Sequence, residues 1–140
     1  MLTVLAIDDQ PSRFEDLART LCERGDLLLI HQHPDAIDLY LEHHTIDAIL
    51  LDHDMDHVNG DEYAALIATD FPSIPVHVIS ANPEGAANIL DIAEAHGLTW
   101  PWISAWDPRW EVTVLAWLYQ KGISRKAPSP PAYRAASYFP

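Results

Sequence analysis

The chain has 140 residues, 49% of them hydrophobic and 21% charged, which is the composition of an ordinary folded globule and excludes a disordered or fibrous chain. At this length one domain is expected, burying about 70% of its unfolded surface. Eight Lys and Arg face 21 Asp and Glu, a formal net charge of −13, so binding of extended nucleic acid through a basic footprint is disfavoured.

In chain order, short apolar runs alternate with segments of helical spacing. The first strand is Thr3–Ile7, followed by a helix from about Ser12 to Glu23, with Ser12 as N-cap, Glu15 as its capping-box partner and Gly25 as the stop. Leu27–Ile30 suits a strand buried on both faces, and Pro34 opens a helix with Ala36, Ile37, Tyr40 and Leu41 on one stripe. A third strand spans Ile46–Leu51, and a polar loop runs from Asp52 to Asn59. Gly60 then leads a helix carrying Tyr63, Leu66 and Ile67 that Pro72 and Pro75 terminate. The fourth strand is Val76–Ser80, and a helix from about Glu84 to His96 is closed by Gly97. A short strand from Trp100 to Ser104 precedes the last helix, about Pro108 to Gly122.

Such alternation implies right-handed crossovers and an α/β three-layer sandwich: a five-stranded parallel sheet with helices on both faces. The domain spans 1–122. Residues 123–140, with four prolines, three basic residues and no acid, read as a tail. Either the last helix or this tail is a candidate surface for a homodimer. The opening MLTVLAIDD shows no basic start or cleavage site, the single Cys22 excludes an intramolecular disulfide, and no apolar run approaches the about 20 residues of a membrane span. A cytoplasmic protein without membrane contact is expected.

In an open parallel sheet, ligands bind beyond the carboxyl ends of the strands, near the point where strand order reverses. Asp8 and Asp9 follow the first strand, Asp52, His53 and Asp54 the third, and Ser80, Ala81 and Asn82 the fourth. With strands one and three adjacent, as in the order 2-1-3-4-5, four carboxylates converge and repel one another unless a cation neutralises them. Hard oxygen donors suit Mg²⁺, or Mn²⁺, with coordination positions left for a small phosphate or nucleotide ligand. An isolated Asp after a strand would read as a helix cap or a turn; two pairs at neighbouring strand ends point to metal at Asp8, Asp9, Asp52 and Asp54. His53 and His57 offer too few donors to compete as a zinc site.

The pattern IDD after strand one, LLD after strand three and Ser after strand four resembles the receiver domain of response regulators, over about the first 122 residues. The resemblance implies a flavodoxin-like fold, Mg²⁺ held by Asp8 and Asp9, Asp52 at the phosphoacceptor position and Ser80 as the hydroxyl that senses the phosphoryl group. The lysine that such domains carry at the end of strand five is absent: this chain has Ile103-Ser104-Ala105-Trp106, and its first lysine is Lys121. Two further stretches, LDHDM at 51–55 and SANPEGAANI at 80–89, are similar to motifs of the receiver variants described as cyclic-phosphate processing domains. The histidine that those variants place before the Ser corresponds to Ile79, with His77 two residues earlier, and their Arg and Pro after the first acidic pair are matched only loosely by Pro11 and Arg13.

The first reading is therefore metal-dependent binding or processing of a cyclic phosphate or nucleotide, with phosphodiester hydrolysis as the reaction. Asp52, His53 and Asp54 are its catalytic candidates; Ser80, Asn82, Gly85 and Asn88 would meet the phosphate, aided by the Gly85 and Ala86 amides at a helix start. Plainer roles stay open: His53 as a solvated loop residue, Asn82 as a helix cap, Asn88 as a solvent-facing side chain. Trp106, beside the cleft, is placed to stack on a nucleobase, whereas Trp110 and Trp117, seven apart, read as core. The alternative is a stand-alone receiver phosphorylated on Asp52 by a histidine kinase; a third reading is a non-catalytic interaction module.

Overall fold

The computed structural model describes residues 1–31, 37, 41–42, 45–55 and 59–120, without the side chains of His31 and Gln120. The start of the helix at Pro34, His33, His43, His44, His57, Lys121 and the tail at 123–140 lie outside the described residues.

Strands β1 (Thr3–Ile7), β2 (Leu27–His31), β3 (Ala48–Leu51), β4 (Val76–Ser80) and β5 (Trp102–Ser104) form one sheet of order β2-β1-β3-β4-β5. Every pairing is parallel, the expected topology. The helices are α1 (Glu15–Glu23), entered through a single 3₁₀ turn at Pro11–Phe14, α2 (Gly60–Asp70), α3 (Pro83–Ala95) and α4 (Trp110–Gln120). β3 and β5 each begin two residues later than the apolar pattern suggests, at Ala48 and Trp102.

Strand alternation sorts the core into two layers. Leu5, Ile7, Ile49, Leu51, Val76 and Val78 face one side, where they meet Tyr63, Ala64 and Ile67 of α2 and Ala86, Ile89 and Ala93 of α3. Val4, Ala6, Leu28, Ile30, Ala48, Leu50 and Ile79 face the other, against Leu17 and Leu21 of α1 and Trp110, Val114 and Leu118 of α4. β1, β3 and β4 are buried along their whole length, which is why β1 and β3 read as nearly continuous apolar runs rather than alternating ones, while β4 buries His77 and Ser80 among its apolar residues. Gly25 and Gly97 stop their helices as expected, both at positive φ.

The Ser12 capping box does not form. Pro11 fixes φ for a 3₁₀ turn in which Ser12 is already inside, and no side chain caps either that turn or α1. Asp8 braces the entry to the turn, its Oδ1 accepting the Gln10 amide at 2.8 Å. Phe14 at the end of the turn packs edge-on against Trp110, with centroids 5.6 Å apart, tying the turn to α4. His77 points into the core between sheet and α4, 2% exposed, its ring edge-to-face with Trp117 at 5.2 Å. Burial lowers its pKa, and Nδ1 donates to the Val78 carbonyl at 3.0 Å. It is a core histidine, remote in role from the strand ends. Trp110 is buried as expected, and Trp117 packs partly buried against the same layer. Among the described residues no helix is long and apolar enough to cross a membrane.

A polar tie closes the opposite end of the sheet. Buried Asp26 accepts the Leu2 amide at 2.7 Å and the Tyr119 hydroxyl at 2.5 Å, and the Arg24 guanidinium lies 4.7 Å over the Tyr119 ring. Removing one partner of a buried hydrogen bond leaves the other unsatisfied. Tyr119→Phe is expected to cost about 1 kcal/mol and Asp26→Ala about 2–4 kcal/mol in urea unfolding, because the second orphans both a buried amide and a hydroxyl.

Candidate functional site

The site is assembled by register. Ile7 pairs with Leu51, so the residues that leave the two strands, Asp8 and Asp52, emerge side by side, and the Asp52 amide donates to the Ile7 carbonyl at 3.1 Å. Asp8, Asp9 and Asp52 each present a carboxylate oxygen to one point, all within 4.8 Å of one another. Asp8 is wholly buried and Asp52 nearly so. Burial first, then the charge of Asp52, raises the Asp8 pKa to about 7, against the pull of Arg13 and the Gln10 amide. Burial likewise raises Asp52 to about 6, opposed mainly by Arg13. Three crowded hard oxygens, held at an energetic cost in the absence of a cation, are the donor set a Mg²⁺ or Mn²⁺ ion requires.

Arg13, which the sequence patterns matched only loosely, belongs to this site. Its Nη1 donates to Asp8 Oδ2 at 2.9 Å and its Nη2 to Gln10 Oε1 at 3.2 Å. The 3₁₀ turn at Pro11 brings it back over the strand end. One sequence signal would have found it: the scarcity of other cations in an acidic domain.

The four-carboxylate cluster becomes three. Asp54 is not among the converging oxygens; its Oδ1 accepts His53 Nδ1 at 2.8 Å and Asn82 Nδ2 at 3.3 Å. The His53 hydrogen bond lowers the Asp54 pKa. His53 is buried, not solvated, and its Nε2 lies 3.3 Å from Asp61 Oδ1. Burial opposes its protonation, but the Asp54 hydrogen bond and the Asp61 charge outweigh that, and its pKa is raised. Both ring nitrogens thus face carboxylates. Asp61 escaped the sequence reading because an acid in the first turn of a helix ordinarily signifies only the helix dipole.

The two distinctive motifs pack into each other. A Cβ on Gly85 would collide with the His53 ring, so only glycine lets α3 close over it. Gly60 likewise sits against the Asp52 carbonyl, where a side chain has no room. Asn82 caps α3, its Oδ1 accepting the Gly85 amide at 3.0 Å while the Ala86 amide donates to the Asn82 carbonyl at 2.9 Å. The amides expected to hold an anion are therefore engaged within the cap. Ser80 is wholly buried at the end of β4, its Oγ accepting the Asn82 amide at 3.1 Å. Asn88 is exposed on α3, and Trp106 is 81% exposed after β5.

The family model for the response regulator receiver domain matches residues 4–97. Among solved structures the chain is similar to chemotaxis protein CheY4 of Vibrio cholerae, at 22% identity and TM-score 0.67, covering 86% of this chain and 98% of that one. It is similar to the response regulator TrrA of Thermotoga maritima, solved in complex with Mg²⁺–BeF, at 19% identity and TM-score 0.62, covering 82% and 97%. A response regulator of Burkholderia pseudomallei with a phosphorylated aspartic acid, a calcium ion and citrate matches at 21% identity and TM-score 0.68, covering 89% and 70%. No curated protein matches the chain. At these identities the solved structures establish the fold.

Two measurements check this electrostatic and steric reading. The folded chain holds protons on Asp8 (about 7) and Asp52 (about 6) that an unfolded chain, at 3.8, has released. In EDTA, the melting temperature should therefore rise as pH falls from 8 toward 5. Asp52→Asn should flatten that slope and stabilise the metal-free protein at pH 8 by about 1–3 kcal/mol. Gly85→Ala should cost about 1–3 kcal/mol by overpacking against His53, and much less in a His53→Ala background.

Proposed function

The chain belongs to the response regulator receiver domain family, and on that premise we propose that it is a phosphoacceptor switch that takes a phosphoryl group on Asp52 with a divalent cation, Mg²⁺ or Mn²⁺, held by Asp8, Asp9 and Asp52. The observation that carries this reading is the convergence of those three carboxylates at the seam between β1 and β3. When bound, the ion would screen the carboxylates from one another and from the incoming phosphoryl oxygens.

In the transfer, an Asp52 carboxylate oxygen forms a bond to phosphorus as the bond from phosphorus to the donor breaks, and the donor departs with the electron pair. Protonated Asp52 is a poor nucleophile, and with its pKa raised to about 6 a bound cation would keep it ionised for attack at mildly acidic pH as well as at neutral pH. Water attack on phosphorus later returns the carboxylate and releases phosphate. The Ser80 hydroxyl, at the end of β4 beside this cleft, is the proposed sensor of the phosphoryl group. It reaches it by giving up its bond to the Asn82 amide, which would loosen the start of α3. A histidine kinase or a small acyl phosphate is the matching donor.

A second reading, hydrolysis of a cyclic phosphodiester, is favoured by one observation: His53, Asp54, Asn82 and Gly85, drawn from the two motifs similar to cyclic-phosphate processing domains, meet in one place. In that reading a cyclic phosphate or nucleotide binds across the cation, with Asn82 and Asn88 reaching it from α3. Both imidazole nitrogens face carboxylates, which supports a positioning role for the His53–Asp54 pair rather than direct attack.

Incubation with Mg²⁺ and acetyl phosphate should add one phosphoryl group, labile to hydroxylamine, and Asp52→Asn should abolish it in intact-mass measurement. Turnover of 2′,3′-cyclic nucleotides without a phosphorylated protein would instead establish the second reading. Neither product would overturn both.

A further inference from the structure

The exposed apolar side chains of the body are not scattered. Of the four large ones that the described residues expose, three, Trp102 (39%), Trp106 (81%) and Val112 (69%), fall in one stretch of chain from β5 to the first turn of α4. β5 is an edge of the sheet, so no strand covers this stretch from outside. The backbone beneath the rings is pinned: the Trp106 amide donates to Ser104 Oγ at 3.2 Å and the Asp107 amide to the Ser104 carbonyl at 3.0 Å. The Trp102 indole is oriented as well, its Nε1 donating to the Ser80 carbonyl at 3.3 Å. Single exposed apolar residues need no explanation, but a group of them on a fixed backbone marks a contact surface.

We infer that this face is the docking site of the chain's own segment 125–139, which lies against Trp102, Trp106 and Val112 through its prolines and aromatic rings and is held there by its positive charge. The inference is independent of the reaction performed at the carboxylate cluster. Charge separates the two partners. Residues 1–120 contain 21 acids and four arginines, a formal −17, whereas residues 121–140 contain Lys121, Arg125, Lys126 and Arg134 and no acid, a formal +4. Arg13, Arg19 and Arg109 are already ion-paired and Arg24 lies over Tyr119, so the body has no free cation for its remaining acids. Glu111, next to Val112, has no ion-pair partner among the described residues, and burial and the charge of Asp16 raise its pKa.

Composition and reach fit the same face. Pro128, Pro130 and Pro131 lack backbone donors and have fixed φ, so this stretch is suited to side-chain contact rather than to pairing as a further strand on β5. Proline-rich segments dock on exposed aromatic rings because their extended form loses little entropy on binding. Tyr133 and Arg134, which follow, add ring stacking and a cation for a tryptophan face. α4 runs from Trp110, packed on Phe14, to Tyr119, bonded to Asp26 at the opposite end of the sheet. Its 11 residues cover about 16 Å, and the extended chain from 121 to 131 covers about 30 Å, so the prolines can return along the helix to Val112 and Trp106.

The test uses the full chain with Cys22→Ser and Ser137→Cys, a nitroxide attached at position 137, and amide and indole resonances recorded with the nitroxide oxidised and then reduced. The Trp106 indole and Val112 amide should lose most of their intensity in the oxidised state, while Leu28 and Ile30 in β2, at the other edge of the sheet, keep theirs and show that the chain is folded. Arg125→Glu, Lys126→Glu and Arg134→Glu together should restore the lost intensity. Full intensity at Trp106 and Val112 in the oxidised state, or a loss that survives the charge reversal, would overturn the inference. A mixture of nitroxide-bearing chain with isotope-labelled chain that lacks the nitroxide separates the two sources of a tail. Broadening of Trp106 in that mixture would assign the face to the tail of a second copy and overturn docking within one chain.

Discussion

Everything at the functional end of this domain follows from the crowding of buried carboxylates at the seam between β1 and β3. Parallel pairing of Ile7 with Leu51 sends Asp8 and Asp52 out of the sheet together, and full burial of both strands denies them water. Like charges in a poorly solvated place are stable only with protons, with a cation, or with both. The fold supplies the first through the raised pKa values of Asp8 and Asp52, and part of the second through Arg13. The arrangement is therefore poised: a divalent ion bound there would displace these protons, and its affinity would fall as pH drops through the range where the two groups titrate.

Around that centre the loops hold one another in place. His53 bridges Asp54 and Asp61, Asn82 joins Asp54 to the start of α3, and Gly85 admits the imidazole beneath the helix. The loop after β3 and the loop after β4 are thus parts of a single assembly that also contains the Ser80 hydroxyl. A rearrangement of Ser80 cannot be confined to one loop, because the same cap that it helps to form orders Asn82, and Asn82 holds Asp54. This gives a physical route from a change at Ser80 to the start of α3, through the Asn82 cap.

The sequence carried the fold almost completely, since continuous apolar strands, helical stripes and glycine stops each report a local requirement that the tertiary structure keeps. What it misplaced were features decided between segments. The Ser12 cap failed because Pro11 starts a 3₁₀ turn before it, leaving both that turn and α1 without a side-chain cap. Asp54 and Asp52, two apart in a loop, are equivalent on paper, yet an imidazole captures one and leaves the other to the cluster. Asp61 was invisible for the same reason and Arg13 only loosely matched: each acts on a residue from another element, and spacing along the chain does not encode that meeting. The Gly85 and Ala86 amides illustrate the converse, since a helix start looks available to an anion until its own cap is seen to occupy it.

The overall charge sharpens the role of the few local cations. With 21 acids in a chain of net charge −13, the field of the domain repels the anionic donors and phosphate esters that any reading of this site requires. Screening weakens that field beyond about 8–10 Å at physiological ionic strength, so it acts mainly on the last approach. At the cluster itself the local cation is the Arg13 guanidinium, 2.9 Å from Asp8. A lysine at the end of β5 would add a fixed charge on the far side of the cleft. An arginine reaching in from the turn after β1 is instead bound to Asp8, one of the three converging carboxylates, so a divalent ion drawn to the cluster would compete with it for that residue.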